Sequence, residues 1–386
     1  MRATTCPPGI SHAAVDSAFG IYEAALRGAT DYFTGALGRR AGPTDMAADV
    51  REWLTTMSRR TPPRWASKHT VVTEWPIARL RDFSSSDPVE TVPTLFLPPQ
   101  AGHDSCIVDY DPQQSQIMTA KDAGLTRVFS LDWVAATEST KDAGIGDYIG
   151  VMVETVDRLG GRVNLVGDCQ GGWLAVIYAA LHPETVNTLT IAGAPVDFHA
   201  GEPLIHDWMR VLSPEHDLAF YRNLVRSNDG VLPGTILLAG FITMQPDNEL
   251  NRQLQLLAHI NEPAHVDRYR TFENWFQHTQ PIPGAFYLWI VEHLFQENEL
   301  VAGTLTVGDR TVDLGRITCP LYLLAGETDH ITPPPQVFAL AEYAGTDPGA
   351  VTMRQTTGGH LGLFMGREAL RNHWAPLFSE IAAASL

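Results

Sequence analysis

The chain has 386 residues, 44 % of them hydrophobic and 18 % charged, with a formal net charge of −17 at pH 7. That is enough apolar material for a sizeable core in one large interrupted domain or two smaller ones. The negative balance repels phosphate backbones and anionic lipid, so neither nucleic acid nor a charged membrane surface is an expected partner. No run of about 18 uncharged apolar residues occurs, so no membrane span is expected. The N-terminus lacks the apolar stretch of a secretory signal. Cys6, Cys106, Cys169 and Cys319 are too widely spaced for a disulfide framework or a zinc site, which fits a reducing, cytoplasmic setting.

In chain order, residues 11–39 read as a helix. A second helix starts at Gly42-Pro43-Thr44-Asp45 and is broken by Thr61-Pro62-Pro63. Residues 69–75 and 77–83 read as short strands. From Val92 onward, strands at 92–99, 127–133, 162–167 and 186–195 alternate with helices at 115–123, 145–160 and 171–183. Such alternation implies right-handed βαβ crossovers and a mostly parallel sheet flanked by helices. Residues 200–310, rich in aromatics, Leu and His, read as mostly helical; strands return at 319–326 and 350–356. The expected organisation is an N-terminal helical extension (1–65), an α/β core (66–199 and 311–386) and an inserted helical cap (200–310). No repeat or phosphate-cradling glycine motif is present, and nothing asks for a cofactor or a metal.

Three loops carry the chemistry. Val166-Gly167-Asp168-Cys169-Gln170-Gly171-Gly172 has the G-x-nucleophile-x-G form, after a strand and before a helix, as a nucleophile elbow requires. The helix that follows directs its positive end at the Cys169 sulfur and favours the thiolate. The amide of Gln170 is one candidate oxyanion donor. The second must come from the loop Pro98-Pro99-Gln100-Ala101-Gly102, where proline has no N–H, leaving Gln100, Ala101 or Gly102. Leu324-Ala325-Gly326-Glu327-Thr328-Asp329-His330 places an acid just past a late strand. Asp329 is the better placed, with Glu327 as competitor and His330 as a packing residue. Gly358-Gly359-His360 supplies a histidine on a glycine-rich loop after the last strand. The order Cys169, Asp329, His360 is that of α/β-hydrolase triads. Cys106, Cys6 and Cys319 lack this context. Trp275, Phe276, Phe286, Tyr287 and Trp289 either line an acyl pocket or are core.

These motifs resemble the superfamily of polyhydroxyalkanoate synthases and intracellular polyhydroxyalkanoate depolymerases, over residues 92–380. IVDYDPQQS, AGLTRVFSLDW, NLVGDCQGG and ETDHITP are similar to synthases; GFITMQPDNE, residues 293–317 and GGHLGLFMGREAL before Trp374 are similar to depolymerases. The resemblance implies an α/β-hydrolase fold with a Cys–Asp–His triad on Cys169, Asp329 and His360, and a polyester or hydroxyacyl ester or thioester substrate. The chain departs from synthases in being short, in lacking the tryptophan that often follows the DHI-x-P motif, and in carrying Asp168 where they usually have an aromatic residue. The expected reaction is therefore hydrolysis of a polyester through a cysteinyl acyl-enzyme. The alternative is polymerisation of hydroxyacyl-CoA, and a third reading is a non-catalytic protein bound at polymer granules. A homo-oligomer is left open.

Overall fold

A computed structural model describes residues 12–201, 205, 209, 211–213 and 217–385; Cys6 and the start of the expected N-terminal segment lie outside them. Backbone contacts divide the chain into two compact units, Met1–Pro63 with Ile236–His278, and Arg64–Thr235 with Thr279–Leu386. These bounds do not coincide with the three segments expected from composition. Which helices pack together is a matter of tertiary contact, to which composition is blind.

The larger unit is built on an eight-stranded sheet of β1 (Thr70–Glu74), β2 (Ala78–Asp82), β3 (Thr94–Leu97), β4 (Val128–Trp133), β5 (Val163–Asp168), β6 (Val186–Ala192), β7 (Leu321–Gly326) and β8 (Val351–Thr356). Their order across the sheet is β1-β2-β4-β3-β5-β6-β7-β8. The β1–β2 and β2–β4 pairs are antiparallel, and every other pair is parallel. Every residue of β3 to β7 is buried, whereas β1 and β8 expose much of themselves at the two edges. Central strands covered on both faces are rich in apolar residues, with Ser130, Asn164, Thr188 and Thr190 buried among them, which is why the sequence marked them so clearly. This is the α/β-hydrolase fold.

The chain order reverses where β3 lies between β4 and β5. Ligands of open α/β sheets bind beyond the carboxyl ends of strands at such a switch point. The loop after β3, the turn after β5 and the loops after β7 and β8 all leave from that end of the sheet.

Three short strand pairings were not foreseen in the sequence. A 3-10 turn, Ser105–Val108, runs into a small hairpin of Asp109–Asp111 and Gln114–Ser115 before the helix Gln116–Asp122. Asp109 holds it, accepting from Ser67 Oγ at 2.8 Å and Ser115 Oγ at 2.7 Å. Within the segment read as mostly helical, Val231–Leu232 pairs with Ile282–Pro283, and Thr306–Val307 with Arg310–Thr311. Two-residue ladders carry no periodicity that a sequence could reveal.

The smaller unit is helical. His12–Gly38 and Pro43–Ser58 are both joined by contacts to Pro246–Ala258, and Pro263–Phe276 follows. Gly42 starts the second helix, its N–H donating to Asp45 Oδ2 at 2.8 Å. The core is Leu256, Ile260, Val266 and Tyr269, with Trp53 and Met57 against it. Buried charge is matched: Glu273 accepts from Arg252 Nε at 2.7 Å and from Arg60 at 3.2 Å. Asp49 accepts from Tyr32, Arg39 and Asn261.

Candidate active site

β5 ends at Asp168, and the helix Gln170–Leu181 starts one residue later. Cys169 alone makes the turn, at φ 49° and ψ −117°. A non-glycine residue there is strained, and such strain persists only where the surroundings enforce it. The surroundings are backbone. A Cβ at Gly171 would stand 1.8 Å from the Leu97 carbonyl oxygen, and one at Gly167 2.5 Å from that of Gly171. The helix therefore enters against the end of β3 at a distance that only glycine permits. The Cys169 amide is tied down by the Ala192 carbonyl at 2.8 Å. Its side chain remains partly accessible.

His360 opens the helix His360–Met365, with Gly359 as its cap. The imidazole is buried, its edge against Phe364 at 4.9 Å between ring centroids. Nδ1 lies 2.7 Å from Asp329 Oδ2. The other oxygen of Asp329 accepts from the amides of Ile331 at 3.0 Å and Thr332 at 2.9 Å. Both oxygens of this buried carboxylate thus have donors or a ring nitrogen beside them. Burial pushes the His360 pKa down, but the Asp329 carboxylate and the Cys169 sulfur, which is hydrogen-bonded to the ring, outweigh it and hold the pKa well above its ordinary value. The three residues expected from sequence are thus brought together. Glu327 is exposed one turn away and His330 is half-buried.

The oxyanion candidates lie around the elbow. Gln170 occupies the first position of the helix, where an N–H has no acceptor within the helix. The β3 loop is held from several sides. Trp133 Nε1 donates to the Pro98 carbonyl at 2.8 Å, Gln100 Nε2 to the Val134 carbonyl at 3.1 Å, and the Gln280 amide to the Gly102 carbonyl at 2.8 Å. The Tyr148 hydroxyl donates to Gln100 Oε1, and the Tyr148 ring stacks on Phe286 with centroids 3.8 Å apart. Ala101 is half-buried at the crest of this loop. Tyr148 is a support that the sequence reading passed over, since its helix looked like ordinary amphipathic packing.

Of the aromatic candidates, Phe286 is core, while Tyr287 and Trp289 are half-buried. Trp275 and Phe276 are buried in the helical unit, where the Arg252 guanidinium sits 4.7 Å over the Phe276 ring. The other described cysteines are poor nucleophiles. Burial, with Asp104 beside it, raises the Cys106 pKa well above its ordinary value, and burial pushes Cys319 up to about 11. Among the described residues no group of three or more His, Cys, Asp or Glu could hold a metal ion, and no helix is long and apolar enough to cross a membrane.

A family model described as "Protein of unknown function (DUF3141)" matches residues 77–385. The chain belongs to this family. The match includes the whole sheet from β2 onward and all three candidate catalytic loops. This DUF3141 member is also similar to poly(3-hydroxyalkanoate) polymerase subunits PhaC. It is 28 % identical to that of Haloferax mediterranei over 276 residues, 69 % of this chain and 54 % of the relative. It is 28 % identical to that of Allochromatium vinosum over 249 residues, 63 % of this chain and 67 % of the relative. The chain thus matches little more than half the length of the Haloferax protein. Among solved structures, a carboxylesterase of the thaumarchaeon Nitrososphaera gargenis is 15 % identical, with 82 % of this chain and 98 % of that chain covered at a TM-score of 0.49. The superfamily resemblance read from the motifs is found again in these relatives. Their names stand with polymerisation, the alternative reading, rather than with the hydrolysis expected from the sequence.

Proposed function

We propose that this protein is a cysteine-dependent acyltransferase that polymerises hydroxyacyl thioesters of the hydroxyacyl-CoA type. The carrying observation is the strained Cys169 at the end of β5, facing an imidazole that Asp329 holds at 2.7 Å. The similarity to proteins named poly(3-hydroxyalkanoate) polymerase supports the choice of substrate class.

In this reading His360 holds the proton and Cys169 attacks as the thiolate; the Asp329 carboxylate beside the ring favours the imidazolium. The thiolate attacks the thioester carbonyl, and the oxyanion is met by the Gln170 amide and an amide of the Gln100–Gly102 loop, each worth about 3–4 kcal/mol. Collapse expels the substrate's thiolate, which takes the proton from His360. The acyl group now rides on Cys169. His360, neutral again, removes the proton from the hydroxyl of a growing chain, which attacks the acyl-enzyme. Asp329 fixes the tautomer and balances the imidazolium in both halves. Hydrolysis would use the same steps with water as acceptor.

The test is to incubate the full chain with 3-hydroxybutyryl-CoA and, separately, with amorphous poly(3-hydroxybutyrate), following free CoA, polymer and soluble acids. CoA release with growth of polymer is expected. Soluble acids from the polymer without synthesis would establish the hydrolase. Binding of the polymer without turnover would leave the granule-binding reading.

A further inference from the structure

Asp168 precedes the nucleophile and is fully buried. Its Oδ2 accepts from Gln116 Nε2 at 2.7 Å, and the same nitrogen lies 3.1 Å from the Phe364 carbonyl. Gln116 is itself buried, at the start of the helix Gln116–Asp122. Two buried oxygens of this pair, Asp168 Oδ1 and Gln116 Oε1, have no hydrogen-bond partner among the described residues. They belong to side chains already bonded to each other. As a carboxylate and an amide oxygen, both could only accept, and each would stand desolvated. One proton on Oδ1 turns an orphan acceptor into a donor for the other.

We propose that Asp168 is a protonated carboxylic acid in the working protein, paired with Gln116 in a closed acid–amide ring that positions the nucleophile against its base. The ring joins three elements: the end of β5 next to Cys169, the helix of Gln116 and, through the Phe364 carbonyl, the helix that carries His360. It also keeps a second negative charge away from the Cys169 thiolate. The titratable groups facing Asp168 are few. The helix of Phe364 presents His360, whose charge favours ionisation of the acid, and the elbow presents Cys169. On β6 the residue beside Asp168 is the uncharged Ala192, and the helix Gln116–Asp122 presents Gln116. Burial, opposed by the Gln116 bond and by His360, pushes the Asp168 pKa up to about 7, in line with this state.

The experiment needs no substrate, so its failure is distinct from failure of the polymerase reading. Infrared spectra of the full chain and of Asp168→Asn are compared at pH 6 and pH 9. A protonated-carboxyl carbonyl band is expected in the native protein at pH 6, absent at pH 9 and absent from the variant at both. If the variant removes no such band at pH 6, the proposal is overturned. The second measurement is the rate at which iodoacetamide alkylates Cys169. Asp168→Asn can rebuild the ring as an amide pair, so its rate at pH 6 should stay near native, while Gln116→Leu should lower it, by up to about 100-fold for a displacement near 1 Å. Equal rates in all three proteins would remove the positioning role. Thermal melts give the sign of the linkage. Asp168 binds its proton more tightly folded than unfolded, so its contribution to stability is lost as pH rises from about 4 to about 7 and is level above. Asp168→Asn should lack that decline; a parallel decline in both proteins would overturn the proposal.

Discussion

The elbow after β5 and the helical unit of Met1–Pro63 with Ile236–His278 solve the problem of buried polar groups in opposite ways. At the elbow, backbone meets backbone so closely that two glycines have no room for a Cβ, and one carboxylate, Asp168 beside Cys169, has a single donor among the described residues, Gln116. In the helical unit, Asp49 and Glu273 are each surrounded by side-chain donors, two arginines serving Glu273 alone. That unit also leaves Tyr22, Leu26, Phe33 and Leu37 of its first helix exposed. Close main-chain packing fixes the backbone turn that carries one sulfur, whereas side-chain networks hold helices together and tolerate change at the surface. The difference teaches where substitutions should cost chemistry and where they should cost only stability.

The sharpest test of the comparison is Cys169→Ala, which should lower CoA release by at least ~10⁴-fold while the circular dichroism spectrum is unchanged. Surviving turnover would move the nucleophile elsewhere and deprive the elbow of its purpose. Asp329→Asn should reduce kcat by up to ~10⁴-fold, because the imidazole then loses its tautomer and its counter-charge. An active variant would pass the role to the exposed Glu327.

Gly171→Ala tests the packing rather than the chemistry. Its methyl group must displace the end of β3, so urea melts should show a loss of about 4 kcal/mol, with Cys169 alkylation slowed as well. A stable, reactive variant would show that the close approach is not needed. In the helical unit, Glu273→Gln weakens two charge-assisted bonds and should cost about 2–3 kcal/mol in the same melts. The smallest effect is expected for Leu26→Glu, on the exposed face of the first helix, within about 0.5 kcal/mol. A large loss there would mean that this face is covered by something in solution, and analytical ultracentrifugation of the variant would show whether a second copy is responsible.

The chain order of strands and helices, the elbow and the Cys169, Asp329, His360 triplet were all legible in the sequence, for one physical reason. Strands buried on both faces are predominantly apolar, and a tight strand-to-helix turn must have glycine beside it; both leave local marks. Three-dimensional neighbours leave none. That Asp329 rather than Glu327 reaches the histidine depends on one being turned inward and the other outward within a single loop. That Phe286 supports Gln100 through Tyr148 joins three segments far apart in the chain. Nothing local distinguishes Gln116, which opens a helix, as the donor to Asp168, 52 residues further along the chain. The sequence by itself determined the fold class and pointed to Cys169, Asp329 and His360 as candidates, since these follow from burial pattern and local motif context. The tertiary structure alone decided which polar groups meet in the dark behind the nucleophile, because hydrogen-bond partners across a sheet are chosen by packing and not by spacing along the chain.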